Sequence, residues 1–440
     1  MGGPALRGQA DNCLTREKTD VILGPHRYHQ YPQRLQSLGR YTGQGEKMGT
    51  HIDYPARLRK IQEGMGEHDI DLLIATRLST VGYVFGAFVP WRGIAVIPRD
   101  GEPELYVLAL DAERVKDDSF YKSVNPVGPL PGMLMWERIM SSIRARGIEK
   151  GTIGVELGHS PIRIETFLLA SEYEILRSEL PHASFKNATE LLNEIFLLKE
   201  DAEIALFRRA AEICDLGMAA VLAEIQVGMT ETEVAGIAEY AMRQAGSELN
   251  WTFTGGQEIA SGYRTAYAWG GCTPPTRKRI QPGDNVVIDL HCMYDLYLGD
   301  VSRNAIMGEP TAEQKKLSSA FVSTCNHLLE SLRPGATLGE VAQKVDTFLD
   351  EIGYRQHALP GYGHGIGILG NEWYPAIANS TAPYESGADL VLQQNMVEIA
   401  ALVLNKPGIG GFRMETPVLI TKDGAEPLSK TPLEPAIIQI

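Results

Sequence analysis

Asn285-Val-Val-Ile-Asp-Leu-His-Cys-Met-Tyr-Asp-Leu-Tyr-Leu-Gly-Asp-Val-Ser-Arg303 decides how the rest of this chain is read. Its apolar residues fit two strands joined by a tight turn. With the turn at Tyr294-Asp295, Asp289 falls directly opposite Asp300. Directly opposed side chains lie roughly 4.5–5.5 Å apart at Cβ. Two carboxylates at that spacing on an apolar hairpin repel each other. Either one takes up a proton or a cation sits between them. The competing readings are a different register, or two acids that face solvent.

Two further stretches favour the cation. Gly361-Tyr-Gly-His-Gly-Ile-Gly367 sets His364 among glycines, where backbone approaches a ligand closely. Gly410-Gly-Phe-Arg-Met-Glu415 runs into the apolar strand Pro417-Val-Leu-Ile-Thr421 and offers Glu415 at its mouth. Asp289, Asp300, His364 and Glu415 together form an oxygen and imidazole set suited to one or two ions of Mn, Fe, Co or Zn.

Outward from the hairpin, the chain repeats itself. Gly228-Met-Thr-Glu-Thr-Glu-Val-Ala235 and Gly335-Ala-Thr-Leu-Gly-Glu-Val-Ala342 each place a Thr three residues before a Glu. That spacing is a capping box, in which the two side chains satisfy orphan backbone N–H groups at a helix start. Each copy ends at a glycine, Gly246 and Gly353, suited to a helix C-terminus. The first copy follows a long helix at residues 201–225, and the pair predicts a duplicated α+β domain over residues 195–432.

Before it, residues 50–194 alternate helical and strand patterns. A helix over 54–67 precedes apolar runs at 71–75, 93–97, 104–108 and 152–156, with a helix at 134–146 between the last two. This is an α/β domain. Residues 1–49 are polar and aperiodic and read as a poorly ordered extension, with Met48 as an alternative start. The other reading is an arm that packs on a partner subunit.

The formal net charge of −14 argues against nucleic acid or an anionic membrane as partner. The five cysteines are scattered and odd in number, which fits a cytoplasmic setting with free thiols. No apolar run reaches the length of a membrane span.

The ordered motifs Lys199-Glu200, the repeated GxTxxEVA helices, Gly283-Asp284, the Asp289 to Asp300 interval, GHGIG around His364 and Arg413-Met-Glu415 resemble the pita-bread metallopeptidase family. That family includes prolidases, aminopeptidase P, methionine aminopeptidases and creatinase. The resemblance covers residues 195–430 and extends more loosely to a creatinase- or prolidase-type N-terminal domain. It implies a homodimer and a metal-dependent hydrolase that cuts a C–N bond in a peptide or small amide, with a metal-activated water as nucleophile. His364, Asn371 and Glu415 would be catalytic. Trp269, Trp373 and Arg413 would meet the substrate, a small molecule or short peptide. The same resemblance leaves open a small-molecule lyase or hydrolase of the dimethylsulfoniopropionate lyase, creatinase or ectoine hydrolase type, and a binding module without catalysis.

Three family positions differ. The family's fifth ligand, a Glu, aligns with Ala401, counted from Met396. Glu398 is near, but its strand parity points it to the other face unless a bulge intervenes. Two family histidines align with Trp269 and Asn371. Asn donates a hydrogen bond but shuttles no proton at neutral pH. His291 stands where the lyase branch has an Asp, so the match to that branch is partial.

Overall fold

The computed structural model describes residues 51–128, 134–158, 167–248, 256–267, 273–379 and 387–440. The expectation for residues 1–49 lies outside them.

The first helix, α1 (Tyr54–Glu67), starts where Asp53 caps the Ala56 N–H at 2.9 Å, and it buries Leu58, Ile61 and Met65. The N-terminal sheet follows in the order β4-β3-β2-β1-β5-β6. Its strands are β1 (Leu72–Ala75), β2 (Gly93–Pro98), β3 (Glu104–Leu108), β4 (Val124–Val127), β5 (Thr152–Val155) and β6 (Ser184–Asn187). The middle strands pair antiparallel and the outer ones parallel. β4 and β6 have no counterpart in the sequence reading. They are four residues long, one carries a proline and the other is largely polar, so neither shows an apolar run. The helices are α2 (Leu78–Phe85), α3 (Ala112–Asp118), α4 (Met135–Ala145), α5 (Ala170–Glu179) and α6 (Thr189–Leu197).

The C-terminal half opens with α7 (Asp201–Glu224) and α8 (Glu231–Gln244), followed by β7 (Glu258–Ser261), β8 (Asn285–Tyr294) and β9 (Tyr297–Met307). Then come α9 (Ala312–Ser331), α10 (Leu338–Glu351), β10 (Gly363–Gly367), β11 (Gly370–Ala376), β12 (Val397–Lys406), β13 (Gly410–Thr421), β14 (Gly424–Pro427) and β15 (Ala436–Ile438). Both capping boxes form: Glu233 N–H donates to Thr230 Oγ1 at 3.2 Å, and Glu340 N–H to Thr337 Oγ1 at 3.1 Å. Gly246 and Gly353 follow the helix ends with positive φ of 107° and 74°. Two long-helix, capped-helix units therefore stand behind one sheet.

That sheet runs β11-β10-β12-β13-β9-β8-β7. Period-two alternation separates its faces. Val286, Ile288, Leu290 and Cys292 of β8 pack with α7 and α8, while Leu402, Leu404, Phe412 and Met414 pack with α9 and α10. Each such aliphatic side chain contributes roughly 1.5–3 kcal/mol on burial. The opposite face carries the polar residues. Gly299 permits the close layering, because a Cβ there would meet the Ala210 carbonyl of α7 at 2.6 Å.

The halves share a core in which Ile61 and Phe196 join Phe207, Ile368 and Ile399. An ionic clamp accompanies it. Arg57 of α1 lies 3.2 Å from Glu200 and donates to Tyr297 Oη at 2.8 Å, and that hydroxyl donates to Glu203 at 3.0 Å. Among the described residues, no helix is long and apolar enough to cross a membrane.

Candidate metal centre

The hairpin turn is at Asp295-Leu296, with φ of 45° and 71°, not at Tyr294-Asp295. Asp300 therefore stands opposite His291, and Asp289 opposite Ser302. The expected direct Asp289–Asp300 pairing is corrected. Because the slip is two residues, both acids keep the same face.

That face presents a continuous row across five strands. Glu258 pairs with Asp289, Asp289 with Ser302, Ser302 with Glu415, and Glu415 with Ala401. One step along lie His291 and Asp300, and one step the other way on β13 lies Arg413. One oxygen or nitrogen each from Asp289, His291, Asp300 and Glu415 lies within 4.8 Å of all the others. His364 sits at the edge, its Nε2 3.8 Å from Glu415 Oε1. Its Nδ1 lies 2.9 Å from the Gly365 carbonyl, which can only accept, so Nδ1 holds the proton and Nε2 faces Glu415. Gly363 makes room for this strand, with φ of 151° and a would-be Cβ 2.0 Å from the Ile399 carbonyl.

Arg413 enters the acids from the side. Its guanidinium lies 2.7 Å from Glu258 Oε2, 3.2 Å from Asp289 Oδ2 and 2.9 Å from Glu415 Oε2. Arg413, expected from the sequence to meet substrate, is here bound to the site's own carboxylates. Burial disfavours the charged guanidinium, but Asp289, Glu415 and Glu258 outweigh it and raise the pKa well above the ordinary value. Burial pushes Asp289 well above the usual carboxylate range, more than Arg413 pulls it back. For Glu415 burial is outweighed by Arg413 and His364, and the group stays ionised far into acid. Burial likewise opposes charge on His291, but Asp289 and Asp300 carry its pKa up to about 10.

The donor set fits a divalent cation. Both oxygens of Asp289 and both of Asp300 are buried without a hydrogen-bond donor among the described residues, and so is Ser302 Oγ between Asp289 and Glu415. Arg413 and His291 offset part of the charge of these buried carboxylates, and a bound cation would offset the rest of a burial cost of several kcal/mol each.

β12 and β13 pair without a break from Val397↔Leu419 to Lys406↔Gly410. There is no bulge, so Ala401 closes the acid row with no carboxylate. Glu398 lies opposite Val418 and Gly365. Burial pushes its pKa up to about 8 against the pull of Lys199. Asn371 is buried on β11 opposite Ile366, its Oδ1 without a partner among the described residues. Trp269 and the side chain of Trp373 lie outside the described residues.

Sequence reasoning left His291 and Glu258 out of the site. His291 carried a signal, since it shares strand parity with Asp289. Glu258 carried none, because its place depends on a strand 31 residues away.

Residues 205–422 match the model of metallopeptidase family M24, and residues 57–195 match that of the Creatinase/Prolidase N-terminal domain. The Xaa-Pro dipeptidase of Pyrococcus horikoshii is 30% identical over 378 residues, covering 86% of this chain and 98% of that protein. The chain belongs to metallopeptidase family M24. The crystal structure of the prolidase from Pyrococcus horikoshii superposes with a TM-score of 0.72 at 28% identity, covering 86% of this chain and 99% of that one. The X-Pro aminopeptidase of Thermotoga maritima, at 23% identity over 87% of this chain and 99% of that one, shares the fold with a TM-score of 0.75. The family is a metallopeptidase family, and the structure gathers a buried carboxylate and imidazole cluster in the domain that matches it.

Proposed function

We propose that this chain is a metal-dependent hydrolase that cuts the C–N bond of a short peptide, with Xaa-Pro dipeptides as the first class to try. The observation that carries the reading is the buried pair Asp289 and Asp300, whose oxygens accept no hydrogen bond among the described residues and which each bring one oxygen within 4.8 Å of a His291 nitrogen and a Glu415 oxygen. When bound, a divalent Mn, Fe, Co or Zn ion supplies Lewis acidity and acidifies water. Asp289, Asp300 and Glu415 would hold it, with His364 at the edge of the set. Arg413 keeps Asp289 and Glu415 in place. Asn371 offers a hydrogen bond and no proton transfer, so turnover of a prolyl peptide is slow.

Relatives named as Xaa-Pro dipeptidases support the substrate class. The test strips the protein with chelator, reloads it with each of the four metals and assays Xaa-Pro dipeptides. The expected result is cleavage that returns with metal and disappears in Asp300→Asn. Cleavage that ignores both metal and Asp300, or no metal-dependent cleavage, would overturn the reading.

A further inference from the structure

The carboxylates of the centre are divided between two sides. Asp289 turns Oδ2 to Arg413 at 3.2 Å and Oδ1 toward His291 Nε2 at 3.9 Å. Glu415 turns Oε2 to Arg413 at 2.9 Å and Oε1 toward His364 at 3.8 Å. Asp300 Oδ1 lies 3.4 Å from His291 Nε2. Two donors on one tetrahedral or octahedral ion, each about 2.1 Å from it, stand roughly 3.0–3.4 Å apart. The His291, Asp289 and Asp300 atoms are close to that spacing already.

On the Arg413 side the space is taken. The guanidinium bridges Glu258, Asp289 and Glu415 from within the protein. A cation added there would compete with it for the same two oxygens. The next place along the row is Ala401, which offers no donor.

We propose that the centre holds a single divalent ion, that His291 is one of its ligands beside Asp289, Asp300 and Glu415, and that the place of a second ion is left without a donor at Ala401. The inference rests on the metal-binding part of the proposed function and specifies its ligands. An imidazole in the set favours a transition ion over Mg or Ca. Arg413 is a positioning residue: it holds the outer oxygens so that the inner ones converge.

The test uses the full-length protein and needs no turnover. Chelator-treated protein is titrated with Co2+, and bound metal per chain is counted by mass spectrometry. Cu2+-loaded protein is then examined by electron spin echo envelope modulation, which reads coordinated imidazoles. One ion per chain is expected. His291→Gln should lose one imidazole signal and bind Co2+ more than about tenfold less tightly, while keeping the wild-type circular dichroism. If that variant fails to fold, His291→Asp keeps a donor and should hold one ion without the signal. Two tightly held ions in wild type, or an imidazole signal unchanged by either substitution, would overturn the inference and leave the hydrolase reading standing. No ion bound by wild type would overturn both.

Discussion

Glu156 and Asp300 are both buried carboxylates, one in each half of the chain, and they are treated in opposite ways. Glu156, just past β5, accepts the Thr76 and Arg77 N–H groups at 2.6 and 2.8 Å, Arg77 Nε at 2.6 Å and Thr80 Oγ1 at 2.7 Å. Arg77 goes on to Asn193 of α6 at 2.9 Å. The cluster closes on itself and ties strand to helix. Asp300 has no hydrogen-bond donor on either oxygen among the described residues. Asp289 beside it shares one guanidinium with two other acids. A carboxylate with its full complement of donors is a joint in the framework. A group of carboxylates with fewer donors than charges is a receptor for a cation. Glu398 shows a third outcome: buried with an unpartnered oxygen and outside the acid row, it takes up a proton.

Breaking the closed cluster should have the largest effect. Glu156→Ala leaves Arg77 as a buried, uncompensated cation, and the loss should be about 3–5 kcal/mol in chemical unfolding, equal with and without metal. A loss below about 1 kcal/mol, or one that depends on metal, would erase the distinction between the two regions.

The proton-bearing carboxylate comes next. Folding raises the pKa of Glu398 to about 8, above its ordinary value. Between those two values the native state holds a proton that the unfolded state has released, so stability falls as pH rises toward 8 and levels off above it. Glu398→Gln removes this penalty. It should stabilise the protein by roughly 2–4 kcal/mol at pH 9, and the gain should vanish at pH 4. A gain independent of pH would assign the effect to packing.

Asp300→Asn sharpens the comparison from the other side. Without metal it removes one of several like charges and should raise stability by about 1 kcal/mol or leave it unchanged. With saturating Co2+ the order reverses, because wild type gains binding free energy that the variant lacks. Thermal melts with and without metal read both signs. The smallest effect is expected at the end of the acid row. Ala401→Glu places a carboxylate opposite Glu415 and should draw a second, weaker ion above one per chain, without speeding the slow dipeptidase turnover, since Asn371 is unchanged.

The parts of this fold that show in the sequence are local. Thr230 with Glu233 and Thr337 with Glu340 announce their helices within four residues, and the apolar runs of β1, β2, β3 and β5 announce buried strands. Long-range pairing does not show. The turn at Asp295-Leu296 contains no glycine or asparagine to mark its two positive φ values, so the sequence pattern alone points to a hairpin two residues out of register. Asp289 and Asp300 stayed in the site only because a slip of two preserves the face. Of the four expected ligands, three enter the cluster and His364 borders it. His291 departs from the family pattern, yet it lies two residues from Asp289 on the same strand and joins the cluster.

The most direct test of the account is the metal content of the undersatisfied cluster. Wild type and Asp300→Ala are stripped, reloaded with Mn, Co, Fe or Zn and counted by mass spectrometry after desalting. The account predicts one ion per chain in wild type with at least one of the four metals, and none in Asp300→Ala. Wild type that retains no metal under any of these loadings would contradict it.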